Sequence, residues 1–149
     1  MASHPGASLG SRRCDVSVLT VRNVLLFSLA AEGATAVAAM LVPGLVARLI
    51  FGLDVSGAGV AFGRLLGVAL LTLVIACWPD AVAPGGTRPA LRAILTYNAL
   101  AATYLVWLGV AHRPMGLLLW PAGAEHVLVA MLLAAGMRRA GPAAAGARP

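Results

Sequence analysis

The sequence has few charged residues and no lysine at all. Charged side chains make up 11% of its 149 residues, and all eleven basic residues are arginine. A soluble domain has about a quarter of its residues charged and about 45–50% apolar, whereas this chain is 60% hydrophobic. So few charges cannot cover the surface of a water-soluble globule, and we therefore expect the chain to lie in a lipid bilayer.

The motifs of most enzymes and metal sites are also missing. The two cysteines, Cys14 and Cys77, belong to no CxxC or Cys/His spacing, so we predict no metal site and no redox pair. No nucleotide-binding loop, nucleophile elbow or HExxH segment is present. The net charge is +6, but the arginines lie beside apolar runs and do not form a basic face with interleaved aromatics. This distribution argues against a nucleic-acid partner. We predict no catalytic residue.

Four apolar stretches are long enough to cross a membrane. Each has about 21 residues, and a helix needs about 20 to cross the hydrocarbon core. They are residues 23–43, 57–78, 91–111 and 117–137. We therefore predict an all-α fold, a four-helix transmembrane bundle over 23–137, with a polar cytoplasmic segment over 1–22. Residues 138–149 form a basic, Ala-, Gly- and Pro-rich tail that we expect to be disordered.

The segment between the first two spans has a different character. Residues 44–56 are too few to cross the bilayer and too apolar for a free loop, since Leu49, Ile50 and Phe51 lie between Arg48 and Asp54. This pattern predicts a short helix in the membrane interface.

The arginine distribution predicts the orientation of the bundle. With the N-terminus inside, eight arginines lie on the cytoplasmic side and two lie outside, a strong positive-inside bias. We expect a multi-pass protein of the bacterial inner membrane with both termini in the cytoplasm. The inner arginines are Arg12, Arg13, Arg22, Arg88, Arg92, Arg138, Arg139 and Arg148, and the outer ones are Arg48 and Arg113.

Ionisable side chains inside a span are costly, so each is a candidate functional residue. At a rise of about 1.5 Å per residue, five polar groups from the four spans come within about 7 Å of one another in depth. They are Glu32, Arg64, Tyr104, Glu125 and His126, and Asn98 lies nearer the cytoplasmic side; we call these six the predicted polar layer. Ser28 and Thr35 extend the stripe of Glu32, and Tyr97 lies on the same helix face as Tyr104.

Several interpretations of the predicted polar layer stay open. In one, Arg64 pairs with Glu32 or Glu125 and the layer only holds the helices together. In another, the layer binds a lipid-like ligand, and in a third it serves proton-coupled transport or catalysis. His126 has no second histidine within the spans, so no cofactor is predicted; a quinone, or a haem shared between two copies, is the alternative.

Three glycines in the second span predict close helix packing. Gly59, Gly63 and Gly67 form two overlapping GxxxG steps, which open a groove for another helix. The neighbour is either a helix of the same bundle or one of a second polypeptide. We expect membrane lipids as partners, together with another membrane protein or further copies of this chain.

The last forty residues of the bundle carry a resemblance. The residues are Tyr97-Asn98-Ala99, Tyr104-Leu105, Leu108-Gly109, Leu118-Leu119-Trp120-Pro121 and His126. They resemble a group of small, uncharacterised bacterial four-span proteins, and the layout is similar to that of DoxX-like membrane proteins. DoxX-like proteins are associated with membrane redox or accessory roles, so the resemblance implies an accessory subunit or a role near quinone. It assigns no catalytic residue here.

The sequence therefore favours a non-catalytic integral membrane protein that serves as an accessory or assembly subunit. In this interpretation the predicted polar layer is structural or holds a lipid-like ligand. The alternatives are a small transporter or proton-coupled carrier, and a membrane redox or quinone-binding protein.

Overall fold

The structure, a computed structural model, describes residues 9–82, 88–112 and 115–140. These residues form five helices and no strand. They are α1 (Leu9–Leu41), α2 (Pro43–Phe51), α3 (Ala58–Val82), α4 (Arg88–Ala111) and α5 (Leu119–Ala140). The predicted all-α class is confirmed.

Four of the helices are long and apolar enough to cross a membrane. The candidate spans are Thr20–Leu41, Ala58–Val82, Arg88–Ala111 and Leu119–Arg139, one in each of α1, α3, α4 and α5. The prediction of a four-helix transmembrane bundle is confirmed. Helix α1 begins earlier than the predicted span, because no glycine or proline interrupts the chain between Leu9 and the span except Gly10 in the first turn. The predicted disordered tail lies outside the described residues from position 141 onward.

The predicted short helix after the first span is α2. Pro43 stands in its first turn, where a missing N–H costs nothing. The helix ends at Gly52, which has a left-handed φ of 69° and donates its N–H to the carbonyl of Arg48. The N–H of Leu118 donates to the carbonyl of Leu49 over 2.8 Å, so the segment before α5 docks on α2. We call this end of the molecule the α2 end.

The spanning helices pack as two close pairs. Helix α1 packs against α3 and α4 packs against α5, and α1 also contacts α5, which joins the pairs. Leu25, Leu29, Ile94 and Leu133 fill the shared core and are at most 1% exposed. Large apolar side chains cover the outside of the bundle, among them Phe62, Leu65, Ile75, Leu100 and Val110. An exposed apolar surface on all sides is what a lipid-facing bundle requires.

Two of the three glycines of α3 pack against neighbouring helices. A Cβ on Gly67 would lie 2.7 Å from the carbonyl oxygen of Ala36, and one on Gly63 would lie 2.7 Å from Pro43. Gly59 meets only Val55 of its own chain segment. Gly63 and Gly67 therefore allow α3 to approach α1 and α2, and this face of α3 is not free for a second polypeptide.

We expect Gly67→Ala to destabilise the protein by about 1–3 kcal/mol, the usual cost of overpacking. The added methyl group meets the backbone of α1, which cannot move aside as a flexible side chain would. Gly33→Ala in α1 is the matched control, since its Cβ would lie 3.9 Å from Val74 in ordinary contact. Thermal unfolding in detergent, followed by far-UV circular dichroism, measures both. Equal stability of the two variants would contradict the close approach.

Candidate functional site

Polar side chains from three helices meet inside the bundle. Ser28 and Glu32 of α1, Asn98 of α4 and His126 of α5 are at most 8% exposed. Tyr97 of α4 is half-buried beside them. We call these five residues the buried polar cluster. In a medium without water such groups need partners within the protein, and most of these groups find them in one another.

Asn98 lies at the centre of the cluster. Its amide nitrogen donates to the hydroxyl of Ser28 over 3.2 Å and to the carbonyl of Ile94 over 2.9 Å. Its amide oxygen lies 2.8 Å from Nδ1 of His126. Because that oxygen can only accept, Nδ1 of His126 carries the hydrogen of this bond. One amide therefore links α1, α4 and α5.

Glu32 is bound at one carboxylate oxygen and open at the other. The hydroxyl of Tyr97 donates to Oε2 over 2.9 Å. Oε1 lies 3.5 Å from Nδ1 of His126 and is buried without a hydrogen-bond partner. The rings of Tyr97 and His126 meet edge to face, with centroids 5.7 Å apart. A carboxylate beside an imidazole can hold and exchange a proton, which is the chemistry the cluster offers.

Glu125 lies at the edge of the cluster. It is half-buried, and its Oε1 is buried without a hydrogen-bond partner. It lines an open groove of about 520 Å³ between α1 and α5. The other lining residues are Thr20, Asn23, Val24, Phe27, Ala124, Leu128, Val129 and Leu132. Neighbouring residues on a helix point about 100° apart, so His126 faces the cluster while Glu125 faces the groove.

Besides Glu125 at its edge, two residues of the predicted polar layer lie away from the cluster. Arg64 is exposed on α3, and among the described residues it forms no ion pair with Glu32 or Glu125. Tyr104 is 54% exposed, and its ring stacks on Trp107 at 6.0 Å. The structure thus brings Glu32, Asn98 and His126 together, with Glu125 beside them.

Tyr97 and Ser28 belong to the site although the predicted polar layer omits them. Tyr97 and Tyr104 are seven residues apart and so share one face of α4, but they lie about 10 Å apart along its axis. Only Tyr97 reaches the level of Glu32. The sequence signal for Ser28 is its spacing of four residues from Glu32. The sequence signal for Tyr97 is its position next to Asn98. Asn98 is four residues from the buried Ile94 and four from the buried Ala102, so it lies on the buried face of α4.

No protein-family model, curated protein or solved structure matches the chain. The resemblance to DoxX-like proteins therefore stays a prediction. In the part of the chain that the structure describes, no group of three His, Cys, Asp or Glu residues could hold a metal ion. The function must follow from the contacts of the described residues: one interlinked polar cluster, Arg64 without an ion pair, and Glu125 with Oε1 buried and without a hydrogen-bond partner.

We expect Tyr97→Phe to lower the stability of the bundle by about 1 kcal/mol, within the range measured for hydrogen bonds between membrane helices. The substitution removes the only hydrogen bond to Glu32 among the described residues and keeps the ring. Tyr104→Phe is the matched control, because the hydroxyl of Tyr104 forms no hydrogen bond with any described residue and its ring still stacks on Trp107. Thermal unfolding in detergent compares the stability of the two variants with that of the wild type. An equal effect of both substitutions would show that the Tyr97–Glu32 bond adds nothing.

Proposed function

We propose that the protein is a non-catalytic accessory or assembly subunit that works by associating with other polypeptides in the membrane. The observation behind this proposal is Arg64. Its side chain is exposed within the span of α3, and it has no ion-pair partner in the described part of its own chain. On insertion scales an arginine costs about 2.5–3.5 kcal/mol at the centre of a span and less near an end. Arg64 lies six residues from the start of α3, so a carboxylate or phosphate from a partner offsets a part of that cost.

The contacts within the cluster support a role without catalysis. The side chains of Ser28, Asn98 and Tyr97 are already hydrogen-bonded to one another or to Glu32 and His126. A substrate would have to displace these bonds. The groove between α1 and α5 is lined by Glu125 and apolar side chains, and the five cluster residues do not line it. A lipid-like ligand in this groove would be held mainly through contacts of its acyl chain with the apolar side chains.

We place both termini in the cytoplasm of a bacterial inner membrane. The support is that arginines gather at the end of the bundle opposite the α2 end. Arg22 lies near the start of the α1 span, Arg88 and Arg92 begin α4, and Arg138 and Arg139 end α5. Lysine and arginine near the ends of spans favour the cytoplasmic side.

Native mass spectrometry of the protein, gently extracted from its host membrane, tests the accessory role. We expect the wild type to retain at least one further polypeptide and Arg64→Gln to lose it, because the amide cannot form the ion pair. Arg48→Gln is the matched control, since Arg48 is exposed on α2 and lies 3.5 Å from Asp54 outside the spans. A wild type that is always a bare monomer would refute the proposal, and so would an Arg64→Gln variant with its complex intact.

One observation favours a second candidate, a proton-coupled carrier. Oε1 of Glu32 has no hydrogen-bond partner and faces the ring of His126, as a proton-binding pair would. In an accessory subunit Glu32→Gln keeps the fold and the complex, because the amide oxygen still accepts from Tyr97. In a carrier the same variant folds but loses the titrating carboxyl group that transport needs.

Proton flux into vesicles that contain the reconstituted protein, measured with an internal pH-sensitive dye under an imposed pH gradient, separates the two candidates. For an accessory subunit we expect the flux to equal that of vesicles without protein. For a carrier the wild type raises the flux, Glu32→Gln abolishes the increase and Glu125→Gln keeps it. Glu125→Gln is the matched control because it removes the neighbouring carboxylate on α5.

A further inference from the structure

We propose that the groove between α1 and α5 is a binding site for a hydrophobic organic cation, whose charge pairs with the carboxylate of Glu125. The inference goes beyond the proposed function and does not depend on it, because it uses no contact of Arg64. It is drawn from the size of the groove, its apolar walls and the one carboxylate that lines it.

The groove has the size and the walls of a site for a compact apolar molecule. Apart from Glu125, most of the side chains that line it are apolar. Phe27 and Leu128 are 59% and 54% exposed on the outside of the bundle, so the groove is open to the surrounding lipid. Its volume of about 520 Å³ lies within the range of sites for drug-sized ligands, about 300–1,000 Å³. A ligand dissolved in the bilayer can therefore enter it from the side.

Glu125 places a negative charge in the groove without a counter-charge from the described residues. Its Oε1 is buried without a hydrogen-bond partner, and no arginine of the described chain forms an ion pair with it. None of the residues described as lining the groove is basic. A charge in the membrane is costly unless it is paired. A cation bound in the groove would remove this cost.

Arg64 lies at the wrong depth to supply that charge. A Cβ on Gly63 would lie 2.7 Å from Pro43, so the next residue, Arg64, is level with the end of α1. Glu125 precedes the histidine of the buried polar cluster, which lies 3.5 Å from Glu32. Glu125 is therefore about nine residues deeper than Arg64, or about 13 Å. A second copy related by an axis along the membrane normal has the same depths, so its arginine does not reach the carboxylate either.

The depth of Glu125 selects the class of ligand. It is level with Glu32, twelve residues from the start of the α1 span at Thr20, which corresponds to about 18 Å. A phospholipid keeps its headgroup at the membrane surface, so only an uncharged chain would meet the carboxylate. A quinone offers carbonyl oxygens, which accept hydrogen bonds as an ionised carboxylate does, so the two groups do not complement each other.

A cation shielded by apolar groups meets both requirements. Its apolar groups allow it to enter lipid, and its charge complements the carboxylate at that depth. Aromatic groups on such a cation can also pack against the ring of Phe27, which lines the same groove.

Equilibrium dialysis of tritium-labelled tetraphenylphosphonium against the purified protein in detergent tests the site, with uptake by protein-free micelles subtracted. We expect saturable binding of one ion per chain. Glu125→Gln should weaken binding by about 30-fold or more, the low end of the loss when a buried charge pair is broken. Asp54→Asn is the matched control, because it removes a carboxylate at the α2 end, outside the spans and the groove. No saturable binding, or equal binding by Glu125→Gln and the wild type, would overturn the proposal.

Tetraphenylborate, which has the same shape and the opposite charge, tests whether charge is recognised. We expect the wild type to bind it more weakly than tetraphenylphosphonium, and Glu125→Gln to lose this preference. A groove that only accommodates apolar groups would bind both ions equally in the wild type, and that result would refute the cation site.

A second variant leaves the carboxylate in place and fills the groove. Leu128 lines the groove three residues from Glu125, so Leu128→Trp should abolish binding of tetraphenylphosphonium. Leu100→Trp is the matched control, because Leu100 is 66% exposed on α4 and does not line the groove. Far-UV circular dichroism checks the fold of each variant. If Glu125→Gln fails to fold, equal affinities of the two tryptophan variants would still overturn the proposal.

The outcomes also separate this inference from the proposed function. If tetraphenylphosphonium binds through Glu125 and the native protein never retains another polypeptide, the cation site stands and the accessory role fails. If the native complex depends on Arg64 and tetraphenylphosphonium shows no saturable binding, the accessory role stands and the cation site is wrong.

Discussion

The structure depends on one constraint, the absence of water in the bilayer. The amide of Asn98 shows its effect most directly, because it must find all its hydrogen-bond partners within the protein. A buried amide has two donors and an acceptor to satisfy, and Asn98 uses Ser28 of α1, His126 of α5 and the carbonyl of Ile94. No loop or solvent could supply these partners at that depth. One side chain therefore links α1 and α5 to α4.

The remaining polar side chains fall into two groups, those that contact residues of the cluster and those that do not. Glu32 lies beside Tyr97 and His126, so it is drawn into the interior with them. Among the described residues, Arg64 forms no ion pair, and Oε1 of Glu125 is buried without a hydrogen-bond partner. Because charged groups in lipid are costly unless they are paired, the constraint that orders the interior also makes the exposed Arg64 the basis of the proposed association.

Much of the architecture could be predicted from the sequence, because it depends only on the positions of residues along the chain. The lengths of the apolar runs determine the four spans, and the apolar segment between Arg48 and Asp54 predicts α2. The rise per residue gives the depth of each polar group, which grouped Glu32 and His126 correctly. The same reasoning could not choose between Tyr97 and Tyr104, because a shift of two or three residues in a helix end moves each group by several ångströms.

The sequence by itself determined the class of protein and the number of spans, since composition and the length of an apolar run are local properties. Only the tertiary structure decided which faces of the helices meet. Gly63 and Gly67 turn one side of α3 toward α2 and α1, and this rotation leaves Arg64 on the outer surface, away from Glu32. Rotation about a helix axis depends on packing against all neighbouring helices at once, and no single segment of sequence contains that information.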